Sequence, residues 1–147
     1  MVDTDKNLNN SIMQLLDDYQ KTIFLKTLLY ACKIDGKVDD KEVQYIKKMA
    51  SKYKVNDVKK IFEPTTEKEL LSELTCLNER RWALELLKEL FSLAHEDDDL
   101  GEEEITFIEH VGDALKIEEE KIAQISTWVI DYIIWREQGK IIFEERK

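Results

Sequence analysis

A chain of 147 residues, 43% hydrophobic and 37% charged, has the length for one domain with a real core. Its net charge of −10 argues against nucleic acid and against an anionic membrane surface, and it favours metal cations or basic protein surfaces as partners. One proline and four glycines are too few for the turns of a β-protein, so the fold class is all-α.

The opening MVDTDKNLNN is polar, without the apolar stretch of a secretory signal, and residues 1–10 read as a tail. No run approaches the ~20 apolar residues of a transmembrane segment. Cys32 and Cys76 lack metal-ligand spacing and read as packing residues in a reducing compartment, so the expected location is cytoplasmic. Ser11 is placed to cap a first helix toward Tyr19, and a second runs from Lys21 to about Ile34 with Leu25, Leu28, Leu29 and Cys32 as its apolar stripe. Asp35-Gly36 ends it. Asp39 and Glu42 have capping-box spacing at the start of the next helix, whose inner face is Val43, Ile46 and Ala50.

The middle is irregular. Asn56 is placed to cap a short helix to Phe62, Pro64 stops it, and Thr66 with Glu69 opens another. A long helix follows from about Asn78 to Glu96, then one from Glu102 to Leu115, then a last one from Glu118 to about Gln138, ending at Gly139. The helical domain is therefore 11–139, with 140–147 as a C-terminal tail.

Within it the chain repeats itself. DGKVDDKEVQYI at 35–46 returns as DDDLGEEEITFI at 97–108, and Phe24, Leu25, Leu28 and Leu29 fall on Leu86, Leu87, Leu90 and Phe91. Downstream, Ala50 falls on Gly112 and Val55 on Ile117. Two units, about 20–62 and 82–124, each an apolar helix, an acidic turn and an amphipathic helix, imply a paired bundle. Leu25, Leu28, Val43, Ile46, Leu87, Leu90, Ile105 and Ile108 are its expected core.

The acidic turns have two readings. Seven of the nine residues from Glu96 to Glu104 are carboxylates. Acidic side chains in a helix's first turn interact favourably with its dipole, which explains them without a ligand. Alternatively, clustered carboxylate oxygens hold a hard divalent cation such as Ca2+, from Asp35, Asp39 and Glu42 in one turn and Asp97, Asp98, Asp99 and Glu104 in the other. Asp35, Gly36, Val38 and Glu42 match the second half of an EF-hand loop, but its opening positions fall on Ala31 and Lys33, then on Leu93 and His95. That half argues against a true EF-hand. His95, beside the second turn, is expected to be solvated with a raised pKa, and Lys33 stands beside the first turn as a rival cation.

On DGKVDDKE at 35–42 and DDDLGEEE at 97–104, each behind an apolar helix, the chain resembles the TerB-like family of tellurite-resistance B proteins, also related to the N-terminal domain of membrane-anchored DnaJ-type co-chaperones. The resemblance covers roughly residues 20–125. It implies a bundle of seven to eight helices in two pseudo-symmetric halves, with a cation-binding acidic surface in bacterial stress response. Asp35, Glu42, Asp97 and Glu104 match the family's acidic positions, whereas Asp98 stands where the family usually has glycine. Tellurite is an oxyanion that carboxylates repel, so the metal, not tellurite, is the expected ligand.

No catalytic constellation is present: no HExxH, nucleophile elbow, phosphate loop, zinc pattern or Glu-x-x-His pair. The chain reads as a non-enzymatic module. The alternative function is an adaptor or assembly subunit, because Trp128, Ile134, Trp135, Ile141, Ile142 and Phe143 exceed what one helix face can bury and would contact a protein partner or a second copy.

Overall fold

The structure, a computed structural model, describes residues 15–34, 38–96 and 101–144. Local capping chemistry starts its first helix. Asp17 is extended, its carboxylate accepts from the Gln20 N–H at 2.8 Å, and the Gln20 side chain accepts from the Asp17 N–H at 2.9 Å. That box launches α1, Asp18–Lys33. The expected break near Gln20 does not occur. An extended Asp17 instead prevents any preceding helix from running through to Tyr19, and Ser11 lies outside the described residues.

Helix α1 is the central post, packing against four later helices and two 3-10 turns. It buries Ile23, Phe24, Leu25, Leu28 and Leu29, and even Thr27, whose hydroxyl donates to the Ile23 carbonyl at 2.7 Å.

Helix α2, Asp40–Lys52, starts at the expected capping box. The Glu42 N–H donates to Asp39 Oδ1 at 2.8 Å, and the Asp39 N–H donates to Glu42 Oε1 at 3.2 Å. Asp39→Ala should therefore cost about 1 kcal/mol of stability in urea denaturation, and an unchanged midpoint would mean the cap is idle.

The 3-10 segment Val58–Phe62 follows Asp57 with no side-chain cap. Asn56 does not cap it; its N–H donates instead to Asp18 Oδ1 at 2.8 Å. Thr66 caps α3, Glu67–Glu73, by accepting from the Glu69 N–H at 3.2 Å as expected, and a 3-10 turn over Leu74–Cys76 leads on. Helices α4, Arg80–Glu96, α5, Glu102–Ala114, and α6, Glu119–Phe143, complete the bundle. Among the described residues there are thus six α-helices and no strand, in a single all-α bundle, against an expectation of seven to eight helices.

Helix α6 runs four residues beyond its expected end. A helical glycine costs only about 1 kcal/mol relative to alanine, and the Glu137–Lys140 ion pair at 3.1 Å spans Gly139. The segment from Lys140 to Phe143 is helix, not tail. At the other end, Arg80 grips Glu118 with two hydrogen bonds of 2.7 and 2.8 Å, so α4 and α6 begin side by side. That guanidinium holds the exposed Glu118 carboxyl down at about 2.

The expected core is largely observed: Leu25, Leu28, Ile46, Leu87, Leu90 and Ile108 are all buried. Val43 is half-buried, and Ile105 is 38% exposed rather than core. The buried face of α5 is instead Glu104, Phe107, Ile108 and Val111, a helical stripe that passes Ile105 by one position. Phe107 is buried on the ring of Tyr30, while its counterpart Tyr45 is exposed, so α2 and α5 turn somewhat different faces inward.

Their C-termini correspond closely. Lys54 and Lys116 both take positive φ, 58° and 60°. Just beyond them, the Val55 N–H reaches the Ala50 carbonyl and the Ile117 N–H reaches the Gly112 carbonyl, both at 2.9 Å. This is the Schellman arrangement, with lysine in the position usually held by glycine.

Candidate functional site

The first turns of α2 and α5 each send a glutamate to one small cavity. Glu42 and Glu104, both predicted site residues, line one cavity of about 20 Å³ with Cys32, Leu90 and Leu93. That is room for a single water-sized particle. Glu104 is buried despite being a carboxylate, whereas Glu42 is half-buried and Asp39 exposed. One oxygen of Asp39 and one of Glu42 are already engaged in the α2 cap.

Asp35, Asp97, Asp98 and Asp99 lie outside the described residues. Among those described, no three His, Cys, Asp or Glu side chains are grouped to hold a metal ion. Lys33, the expected rival cation, is exposed and lines a different cleft with Glu102 and Glu103.

His95 departs from its expectation. Burial pushes its pKa down rather than up, its ring stacks on Phe91 at 6.2 Å, and its buried Nε2 has no hydrogen-bond partner among the described residues. A neutral imidazole is the form that ligates metals, and an unsatisfied buried nitrogen costs about 1–3 kcal/mol. This nitrogen lies two residues before Asp97.

Sequence reasoning missed Glu89. Beside the small cavity an open cleft of about 560 Å³ is lined by Asp39, Lys41, Glu42, Tyr45, Glu89 and Ser92. Burial pushes the Glu89 carboxyl above its usual range, against the opposing pull of Lys88 at 3.5 Å. Lys88 bonds more tightly to Glu85, at 2.5 Å. The only sequence signal was a Lys-Glu pair inside the apolar run LELLKELF. Neither cysteine is in a disulfide among the described residues, and burial raises the half-buried Cys76 to about 11, consistent with a packing role.

The predicted partner-binding residues lie on α6, and the structure leaves all of them open. Trp135 is 71% exposed, Ile141 77% and Phe143 84%, with Trp128, Ile134 and Ile142 also exposed. Only Ile122 and Val129 of this helix are buried. No helix among the described residues is long and apolar enough to cross a membrane.

The helices and their acidic first turns define an all-α bundle module. The chain belongs to the TerB family: the family model described as "Tellurite resistance protein TerB" matches residues 21–127, most of the sequence. No curated protein and no solved structure matches.

Proposed function

We propose that this chain is a non-enzymatic, cytoplasmic TerB module of bacterial stress response, in which the two acidic inter-helix turns together bind one divalent cation. The observation that carries this reading is the convergence of Glu42 and Glu104 on one cavity, which puts the starts of α2 and α5 at the same end of the bundle. The buried His95 nitrogen, without a partner among the described residues, supports it. Glu42 and Glu104, with the neighbouring aspartates Asp35 and Asp97, would hold the ion, which would neutralise mutually repelling carboxylates and tie the halves together. The halves themselves we read as a duplicated helix–turn–helix unit, a reading supported by the matching turns at Lys54 and Lys116.

Calcium, magnesium and zinc titrations followed by thermal denaturation test this. A cation bound only by the folded chain stabilises it by about 2.7 kcal/mol at a hundredfold excess over Kd, several degrees in Tm. Glu42→Gln with Glu104→Gln should abolish the rise and keep the helical signal. If the double variant responds to the metal like the parent, or if the parent shows no response, the turns are only solvated helix starts.

A second reading, an adaptor acting through α6, is favoured by the row of large apolar side chains that the bundle leaves uncovered.

A further inference from the structure

The exposed end of α6 has an order of its own. Trp128, Tyr132, Trp135, Gly139 and Ile142 follow at spacings of four, three, four and three, the interval of a coiled-coil seam. The rings form a ladder: Trp128 and Tyr132 stack at 6.3 Å, and Tyr132 and Trp135 lie 6.4 Å apart. This seam begins where the match to the family model ends, at residue 127. Its charges also cancel, Asp131 and Glu137 against Arg136 and Lys140, on a chain of net charge −10. It is therefore a stretch on which two acidic molecules can approach without strong repulsion.

We propose that this seam pairs, antiparallel, with the same seam of a second copy of the chain; the proposal rests on the adaptor reading of α6 and names its partner. Two features select the antiparallel arrangement. In a parallel pair like positions meet, so Gly139 faces Gly139, where an added Cβ finds nothing within 4 Å and a gap results. In an antiparallel pair the two interleaved sets of the seam meet, and each Gly139 receives a tryptophan of the other copy. A parallel pair also sets two acidic bundles side by side, whereas an antiparallel one carries them to opposite ends.

The area reaches the low end of what a specific interface buries. Aromatic side chains bury about 150–250 Å² each. Trp128, Tyr132, Trp135 and Phe143, at 49–84% exposure, therefore offer on the order of 500 Å² per copy before Ile142 is counted. A standard interface takes about 800 Å² per partner.

Sedimentation equilibrium of the full chain, from micromolar to near-millimolar concentration, tests the pairing. The expected result is a monomer–dimer equilibrium that Trp135→Ala weakens about tenfold or more. Gly139→Leu should also weaken it by filling the hole, although leucine strengthens a lone helix and should keep or raise the helical signal of the dilute monomer. A chain monomeric throughout, or a dimer tightened by Gly139→Leu, overturns the proposal. So does a monomer that binds neutral phosphatidylcholine vesicles, which would assign the face to lipid. The adaptor reading fails separately, if Trp135→Ala lowers the Tm of the dilute monomer by several degrees and so reveals a core ring. A monomer whose Tm is indifferent to Trp135→Ala removes self-pairing alone.

Discussion

Leu28→Ala should lower the free energy of unfolding by about 2–5 kcal/mol, toward the upper end of that range. Leu28 is fully buried on α1, the helix against which most of the other elements pack. Truncation removes apolar contacts and leaves a cavity, and the cost rises with how little the surroundings can collapse. Here the walls belong to several helices, so no single rigid shift closes the gap. Domains of this kind hold about 5–15 kcal/mol in total, so the variant should sit near the edge of folding. Urea denaturation gives the number directly, and a loss below about 1 kcal/mol would mean that α1 is not the post around which the bundle is built.

Gly112→Val should cost about 3 kcal/mol by the opposite mechanism, overpacking. A Cβ at this position would stand 2.3 Å from Ile122 Cδ1 and 3.1 Å from its Cγ1. The terminal Cδ1 can rotate aside, but Cγ1 is fixed to a β-branched stem, so α5 and α6 must part. The diagnostic measurement is a double-mutant cycle with Ile122→Val, which deletes Cδ1. Gly112→Val should be less costly in that background, by about 1 kcal/mol. Equal costs in both backgrounds would locate the damage elsewhere than the α5–α6 contact.

Much of this architecture was legible in the sequence because it rests on local chemistry. Asp39 with Glu42 and Thr66 with Glu69 each specify a helix start within four residues, and the structure places both as read. Gly112 aligns with the small Ala50, and its missing side chain is what lets Ile122 come close. What failed depended on tertiary context. Ile105 carries the apolar periodicity of α5 as well as Ile108 does, and only the angle at which the helix docks decides which of the two faces water. Gly139 is a helix stop by propensity, but α6 has apolar residues on both sides of it and an ion pair across it. At the site, the alignment of the repeats foretold that Glu42 and Glu104 are equivalent, but not that they share a cavity. Glu89 left only the faint mark of a Lys-Glu pair in an apolar run, and the burial of the His95 nitrogen left none, because burial of a polar group inside a helix does not alter its neighbours' spacing.

The two left-handed lysines have a consequence for how this surface tolerates change. A side chain at positive φ costs about 1–2 kcal/mol at each turn, which glycine would relieve. Yet Lys54 and Lys116 sit just past the negative ends of α2 and α5, where a cation returns about 0.3–1 kcal/mol. The second effect offsets only part of the first, leaving glycine with an advantage of roughly 1 kcal/mol at each turn. Electrostatics of the whole molecule then separates the alternatives, because each replacement would make an already acidic chain one charge more negative. The turn geometry is common to both helix ends, whereas the residue that occupies it is a choice about surface charge.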